Sequence, residues 1–158
     1  MANFEVVLPK NRVNPGTLEL RDGDTVVAGP FPVLGKADNQ AAAQKGNPTR
    51  NPEREDGDTP LGEYGITEVV PTGGPAMPAH SYGPNGALRL NPVAGQALIA
   101  KRNGRTGLLI HGGDPRPSDG GLRPTHGCLR VSDPNMAVLA PLVRDLLARG
   151  EDVTVNVS

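Results

Sequence analysis

Aromatic residues and cysteine are scarce in this sequence. Among its 158 residues there are no Trp, two Tyr, two Phe and a single Cys. A lone cysteine excludes an internal disulfide bond, so cysteine usage does not indicate the compartment. The few aromatic rings cannot form a base-stacking surface, and 16 basic against 17 acidic residues give a net charge of −1. We therefore expect no nucleic-acid partner.

Long apolar runs are absent as well. No segment approaches the roughly 20 consecutive apolar residues of a transmembrane helix. The first residues have neither the basic start nor the apolar stretch of a signal peptide. We expect no membrane insertion and no ordinary export signal in the given chain, so its delivery route stays open. The length suits one domain over residues 1–158, and we expect a monomer.

Glycine and proline are abundant, with 21 and 17 residues, and they separate short aliphatic segments without forming a repeat. This punctuation is typical of a β-rich domain with many turns. The Asp-Gly pair at residues 22–23 predicts a hairpin. Strands are predicted at residues 4–8, 17–20, 25–28, 64–70, 87–90, 97–100, 107–110 and 152–157.

Two long loops and one helix complete the predicted architecture. Residues 36–58 are polar and residues 71–86 are rich in Pro and Gly, so both are predicted as loops, the first with a helical stretch at residues 40–44. Ser132 or Asp133 can cap the long helix that follows. Its predicted apolar stripe consists of Val138, Leu139, Leu142, Val143, Leu146 and Leu147. The prediction is a mainly β fold, a sandwich or sheet, with one long helix near the C-terminus.

The residues that can carry chemistry are concentrated in two segments. The first is H-G-G-D at residues 111–114, directly after an apolar strand, and the second is T-H-G-C-L-R at residues 125–130. A free thiol with a pKa of about 8.5 is mostly protonated at neutral pH. A histidine within hydrogen-bond reach can take that proton and return it to a leaving amine. Gly127 beside Cys128 lets the backbone approach a substrate and direct amides at a carbonyl oxygen.

Other interpretations of these residues stay open at this point. A lone cysteine is more often a small apolar core residue than a nucleophile. His111, His126 and Cys128, with Asp114, also offer nitrogen and sulfur ligands that suit zinc, although structural zinc sites usually take paired ligands from each of two segments. A purely structural or binding role is a further alternative. We expect no metal and no other cofactor.

The two segments resemble the catalytic signature of the L,D-transpeptidases, the YkuD-like family. Members have a strand that ends in His-Gly or His-Ser, then a loop, then Ser/Thr-His-Gly-Cys, an aliphatic residue and Arg or Asn. Residues 110–112 and 125–130 are similar to these two parts. Residues 58–64, D-T-P-L-G-E-Y, also resemble the Thr-Pro-x-Gly-x-Tyr/Phe element of the family. The resemblance runs from about Asp58 to the long helix and implies the L,D-transpeptidase fold.

The resemblance implies a catalytic role for each matching residue. Cys128 would be the nucleophile, His111 its general base, and the carbonyl of Gly112 the group that orients the imidazole. His126 matches a second histidine that shapes the site. Gly127 and Cys128 would supply the amides of an oxyanion hole.

Substrate-binding roles follow from the same resemblance. Arg130 is a candidate clamp for a substrate carboxylate, because a guanidinium binds carboxylates in a bidentate manner. An ion pair of Arg130 with Asp133 or Asp114 is the alternative. Thr125 is expected to form local hydrogen bonds and hold the loop beside the substrate.

The loop of residues 71–86 can act as a lid over the cleft. Tyr82, a candidate substrate-binding residue, lies on it together with His80. The alternative is a solvated loop with incidental polar residues. Asp119, like the other aspartates of this region, is predicted to serve in a turn.

The implied activity is acyl transfer on peptidoglycan stem peptides, in the periplasm or cell wall. Cys128 would attack the carbonyl of an L-centre in a tetrapeptide stem and release terminal D-alanine. An amine would then resolve the thioester, which is transpeptidation; resolution by water would make the protein an L,D-carboxypeptidase. Delivery as a secreted antibacterial effector is a further alternative.

Overall fold

One mixed sheet dominates the computed structural model, which describes residues 1–115 and 121–158. Across the sheet the strand order is β3-β2-β1-β8-β4-β5-β6-β7. The strands are β1 (Ala2–Val7), β2 (Gly16–Asp22), β3 (Thr25–Val33), β4 (Gly62–Val70), β5 (Ala87–Ala94), β6 (Leu109–His111), β7 (Leu129–Arg130) and β8 (Val153–Val157). The predicted mainly β architecture is confirmed.

The predicted hairpin joins β2 and β3, in which Asp22 pairs with Thr25. Gly23 takes a φ of 59°, the left-handed conformation that this tight turn requires. Strand β1 pairs antiparallel with β2 and parallel with β8. Phe4 and Val6 of β1 are fully buried while their neighbours are partly exposed, so one face of the sheet covers the core.

The long helix α4 spans Asp133–Ala148 and lies on the sheet. Ser132, not Asp133, is its N-cap, because the Ser132 hydroxyl accepts the backbone amide three residues on at 3.2 Å. The predicted apolar stripe is wrong in part, since Val138 and Leu142 are 46% and 36% exposed. The buried stripe consists of Met136, Leu139, Ala140, Val143 and Leu146. Its spacing of three and four residues keeps it on one side of the helix.

The predicted strand at residues 97–100 is wrong, because these residues belong to helix α3 (Gln96–Arg102). Gly95, with a φ of 74°, ends strand β5 and turns the chain. The sequence Q-A-L-I-A-K-R consists mostly of good helix formers. Ala97 and Ala100 are buried where the helix meets β4 and β5.

The polar loop of residues 36–58 is folded tightly onto the protein. It contains the short helix α1 (Asn39–Gln44), as predicted for residues 40–44. Several of its polar side chains are buried, which a surface loop does not predict. The Asp58 carboxylate accepts the Ala37 amide at 2.8 Å and the Arg50 guanidinium at 3.1 Å, so it is paired where it is buried.

Segment 125–130 is held on both sides by neighbouring backbone. On one side, β6 and β7 run parallel, with Ile110 opposite Leu129. On the other side, Leu34 and Arg130 exchange both backbone hydrogen bonds, at 2.9 and 3.0 Å. The sheet order begins with β3 and ends with β7, so this contact brings the chain just beyond β3 back to the last strand.

Among the described residues, no helix has the length and apolar character needed to cross a membrane. The other short helix, α2, spans Ala79–Tyr82 in the predicted loop of residues 71–86. The predicted turn residue Asp119 lies outside the described residues.

Candidate active site

A cavity of about 460 Å³ opens beside segment 125–130. Cys128 and His111 both line it, although 17 positions separate them in the sequence. Strand β6 ends with His111, and Cys128 immediately precedes β7. Because β6 and β7 are parallel neighbours, the thiol and the imidazole are brought to the same cavity.

His111 is buried, with 2% of its surface exposed. Its Nδ1 lies 2.7 Å from the carbonyl oxygen of Gly112, which can only accept, so Nδ1 carries the proton and Nε2 keeps a lone pair. Burial lowers the pKa of His111 from its ordinary 6.5 to about 4, and the hydrogen bond to Gly112 opposes this only in part. The imidazole is therefore a neutral base at neutral pH.

Cys128 is 9% exposed and lies in a small apolar cluster with Ala87 and Leu109. Its thiol donates to the carbonyl of Gly107, with sulfur and oxygen 3.6 Å apart. Burial raises the pKa of the thiol above its ordinary value, while the Leu109 backbone and the guanidinium of Arg105 act in the opposite direction. The resting thiol is thus protonated, and its attack on a carbonyl has to be coupled to loss of that proton.

Thr125 fixes the turn that precedes Cys128. Its hydroxyl donates to the Cys128 carbonyl at 2.9 Å and accepts the Gly127 amide at 2.9 Å. The single hydroxyl proton is used inside the loop, so the geometry assigns Thr125 to holding the loop. Since the Gly127 amide points to Thr125, it is not free for the oxyanion hole expected from the sequence.

Gly127 occupies a position where a side chain does not fit. Its φ is 108°, and a Cβ atom there would lie 1.8 Å from an Arg105 nitrogen and 2.3 Å from the Gly57 carbonyl oxygen. The Gly127 carbonyl accepts the hydroxyl of Thr59, which is fully buried, at 2.6 Å. Segment 125–130 is therefore held in place by contacts with an earlier part of the chain.

His126 is paired with a carboxylate. Its Nδ1 lies 2.9 Å from Oδ1 of Asp56, and the side chains are 74% and 11% exposed, respectively. An ionised carboxylate accepts only, so Nδ1 carries the proton and Nε2 is left for another partner. Asp56 takes a left-handed backbone conformation with a φ of 58°, which non-glycine residues rarely adopt. Both side chains line the cavity.

Arg130 is a buried cation at the cavity, with 5% of its surface exposed. Its guanidinium donates to backbone carbonyls of Ser81 at 3.1 Å and Asp114 at 3.5 Å. Neither of the alternative ion pairs, with Asp114 or Asp133, forms within the described part of the chain, and its Nε has no hydrogen-bond partner there. An anionic group in the cavity would satisfy this charge.

Gly112 is held close to the start of α4. The Asp133 carboxylate accepts the amide of Gly113 at 2.7 Å, and a Cβ atom on Gly112 would lie 2.3 Å from that carboxylate. This contact fixes the carbonyl that orients His111. Gly112 thus acts on the imidazole and does not itself line the cavity.

Tyr82 lies against the buried imidazole. The ring centroids of Tyr82 and His111 are 4.8 Å apart, with the planes tilted by 50°. Tyr82 lines the cavity, whereas the exposed His80 does not. Helix α2 therefore places one of the two predicted loop residues at the site.

Metal ligands do not gather at this cavity. Over residues 1–115 and 121–158, no group of three or more His, Cys, Asp or Glu side chains is arranged to hold a metal ion.

The family model of the L,D-transpeptidase catalytic domain, YkuD, matches residues 11–155. The chain belongs to the L,D-transpeptidase family. The match covers more of the chain than the resemblance seen in the motifs, because it begins before β2 and ends within β8.

Solved structures of one protein share the fold of this chain. The helical cell shape determining protein Pgp2 from Campylobacter jejuni is 20% identical, with a TM-score of 0.56 over 99% of this chain and 48% of that one. A lysine-to-alanine variant of Pgp2 gives 21% identity and the same TM-score, over 98% and 46%. L,D-transpeptidase 1 of Mycobacterium tuberculosis is 16% identical, with a TM-score of 0.42 over 99% and 63%.

At such identities the solved structures bear on the fold alone. The chain spans about half the length of Pgp2. No curated protein matches the chain significantly.

Residues 58–64, which resemble a third element of the family, support segment 125–130. Thr59 anchors Gly127, as described above. Tyr64, 1% exposed, donates its hydroxyl to the carbonyl of Pro60 at 2.6 Å, which fixes the bend before β4. Burial raises the pKa of Tyr64, so its hydroxyl remains a donor.

Arg105 is a site residue that the motifs do not indicate. It is 5% exposed, and its guanidinium donates to the carbonyls of Gly57 at 2.6 Å, Asp58 at 2.8 Å and His126 at 3.4 Å, as well as to that of Pro52. A single cation thus joins the loop of residues 36–58 to segment 125–130. In sequence, Arg105 is one of several basic residues around an Asn-Gly turn, so nothing marks it out.

Asp56 is the second site residue that sequence reasoning missed. It lies in a polar stretch, N-P-E-R-E-D-G-D, in which four of the eight residues are acidic. Only the fold of residues 36–58, tied down by Arg105, selects Asp56 as the partner of His126. The only signal in the sequence is that Asp56 precedes a glycine. Its burial, which would have marked it as a site residue, is not visible in a sequence.

Proposed function

We propose that this L,D-transpeptidase family member is a cysteine acyltransferase that acts on tetrapeptide stems of peptidoglycan. The observation that carries the proposal is one cavity lined by the Cys128 thiol, the neutral base His111 and the buried guanidinium of Arg130, whose Nε has no hydrogen-bond partner among the described residues. These are a nucleophile, a proton acceptor and an anion-binding group, which peptide acyl transfer at a carboxylate-bearing substrate requires.

In the first half-reaction the Cys128 sulfur attacks the carbonyl carbon of the L-centre that precedes the terminal D-alanine. The thiol proton passes to Nε2 of His111, which donates it to the departing amine as the carbon–nitrogen bond breaks. D-alanine leaves and a thioester remains on Cys128. Because both groups begin neutral, the proton moves as the carbon–sulfur bond forms and no resting ion pair is required.

The oxyanion that forms on the attacked carbonyl needs a donor. With the Gly127 amide bonded to Thr125, we assign the amide of Cys128 itself to this role. Arg130 would hold a carboxylate of the stem, and Tyr82 would contact the substrate beside the imidazole. No cofactor takes part in these steps.

Either an amine or water resolves the thioester. An amine gives L,D-transpeptidation, by cross-linking or exchange, and water gives L,D-carboxypeptidation. The site of action would be the periplasm or the cell wall. Since Pgp2 is named as a determinant of helical cell shape, an effect of this chain on cell shape is part of the proposal.

The test is mass spectrometry of purified disaccharide-tetrapeptides incubated with the protein, with and without a second D-amino acid. We expect loss of D-alanine together with exchange or dimer formation, and none of these with Cys128→Ala. Loss of D-alanine alone would make the protein a carboxypeptidase. If the stem stays intact under all conditions and Cys128 forms no thioester, the proposal is wrong.

A further inference from the structure

The cavity contains two imidazoles that differ in their surroundings. His111 is 2% exposed and its Nδ1–H is bonded to a backbone carbonyl, whereas the His126 side chain is 74% exposed and its Nδ1–H is bonded to the Asp56 carboxylate. Both rings therefore present Nε2 with its lone pair. One base is enclosed by protein, and the other has access to bulk water.

The two histidines also contact different residues. His111 contacts Tyr82, which follows Ser81, the partner of Arg130. His126 contacts Asp56, and Glu55 and Asp38 line the same cavity. Arg130 acts on His111 as a nearby cation and suits the carboxylate end of a donor peptide. The three carboxylates line the cavity together with the buried Arg105 and suit a positively charged group.

Resolution of the thioester by an amine requires a proton to be released to solvent, whereas thioester formation does not. An aliphatic amine has a pKa of about 10 and arrives at neutral pH as an ammonium ion, which cannot attack until it loses a proton. That proton has to reach solvent. His111 is poorly suited, because at 2% exposure it is enclosed by protein and has little contact with solvent. An exposed imidazole backed by a carboxylate is well suited, because its charged form is solvated and paired.

We propose that His126, oriented by Asp56, is the general base of the second half-reaction and removes a proton from the acceptor amine or water. The inference rests on the proposed thioester at Cys128. The ammonium gives one proton to Nε2 of His126, which releases it to solvent. The amine nitrogen then bonds to the thioester carbon, the carbon–sulfur bond breaks, and the second nitrogen proton returns to the Cys128 sulfur through His111. The products are an amide, a free thiol and one proton.

In this scheme His126 is a catalytic residue and Asp56 is a positioning residue. The carboxylate keeps the ring in the tautomer with a free Nε2 and stabilises the imidazolium that forms. Two features fix the position of the Asp56 carboxylate. Its backbone has a left-handed conformation, and Arg105 binds four backbone carbonyls nearby. A fixed carboxylate on a loop that otherwise has no catalytic group is consistent with this role.

The experiment measures the two half-reactions separately. Release of D-alanine in a single turnover measures thioester formation, and intact-protein mass spectrometry follows decay of the thioester in the presence of a D-amino acid. For Asp56→Asn we expect thioester formation within about twofold of wild type and decay slowed by at least about tenfold, so that the acyl-enzyme accumulates. His126→Gln should behave in the same way. Glu53→Gln, which removes a carboxylate of the same loop away from the cavity, should leave both rates unchanged.

Hydroxylamine provides a rescue test, because it is an unprotonated nucleophile at neutral pH and needs no base. It should restore thioester decay in Asp56→Asn and His126→Gln to about the wild-type rate. Equal slowing of both half-reactions in Asp56→Asn would overturn the inference and give Asp56 a structural role. Unchanged decay in both variants would overturn it too. If the wild type forms no thioester at all, the proposed function itself fails, and that result is seen before any variant is compared.

Discussion

The hydroxyl of Thr59 donates to the carbonyl of Gly127 at 2.6 Å, across 68 positions of sequence. It joins the element before β4 to the loop that carries the cysteine. Thr59 is fully buried, so neither group has water as a substitute partner. Two short motifs that are separate in the sequence form one unit in the fold.

Replacement of Thr59 by valine tests that connection. Thr59→Val keeps the shape of the side chain and leaves the Gly127 carbonyl without its donor, so we expect a loss of about 1–3 kcal/mol in unfolding free energy. Urea unfolding measures the loss. Thr59→Ser keeps the hydroxyl and should recover most of the hydrogen-bond contribution. Equal stability of Thr59→Val and wild type would show that the bond contributes nothing net.

Gly127→Ala tests whether the loop tolerates a side chain. The added methyl group would overlap the Arg105 guanidinium and the Gly57 carbonyl in a backbone conformation that favours glycine. We expect a fall in melting temperature larger than that of Gly150→Ala. Gly150 also has a positive φ, 76°, but nothing lies within 4 Å of its added Cβ. A similar fall in both variants would mean that the Arg105 guanidinium moves away from the added methyl group at little cost in free energy.

The buried His111 predicts a pH dependence of stability. Its pKa of about 4 in the folded state lies below the ordinary 6.5, so the unfolded chain binds more protons between these values. Stability should therefore be lost as the pH falls from 6.5 towards 4, by at most about 1.4 kcal/mol per pH unit from this group. Urea unfolding at several pH values should show a weaker dependence for His111→Gln than for wild type. The exposed His80, changed to Gln, should keep the wild-type dependence, and a parallel decline in all three proteins would refute the assignment.

Alkylation of Cys128 reports the state of the thiol. Because burial raises its pKa, iodoacetamide should react slowly at neutral pH and faster as the pH rises above the ordinary thiol range. The Arg130 guanidinium opposes this rise, so Arg130→Met should move the rate profile to still higher pH. Arg130→Lys keeps the charge and should stay nearer the wild type. A thiol that reacts fully at pH 6 would contradict a neutral resting pair.

Reactive β-lactams should trap the acyl-enzyme, and the family resemblance favours carbapenems over penicillins. The strained lactam carbonyl substitutes for the scissile amide, and the acyl group that results leaves slowly. Intact-protein mass spectrometry should show one carbapenem adduct in wild type and none in Cys128→Ala. An adduct of equal yield in Cys128→Ala would place the reactive group elsewhere.

Local patterns in the sequence were sufficient for much of the fold. The Asp22–Gly23 pair and the alternation of β8 are signals within a few residues, and both predictions are confirmed. Helix α3 was missed because its alternation of small and apolar residues suits a short strand equally well. Only the turn at Gly95 and packing on β4 and β5 decide in favour of the helix.

The candidate site also has a part that local sequence patterns predict and a part that depends on the fold. The pairing of His111 with Cys128 was expected from the motifs, and the structure brings both to one cavity. The bonds of Arg105 and Asp56 depend on how residues 36–58 fold, and nothing in their immediate neighbours specifies the distant partner. The Gly127 amide was expected to donate to the oxyanion, but it donates to the hydroxyl of Thr125 instead.

The order in which the chain is made differs from the order in which the sheet is assembled. Strand β8 is the last of the eight to leave the ribosome, yet it lies between β1 and β4. Until its five residues have emerged, β3-β2-β1 and the strands from β4 onward have no common neighbour in the middle of the sheet. Cys128 is synthesised well before that moment. The apolar neighbours of its thiol, Ala87 and Leu109, come from β5 and β6, so the surroundings of the cysteine are built by strands on one side of β8 alone.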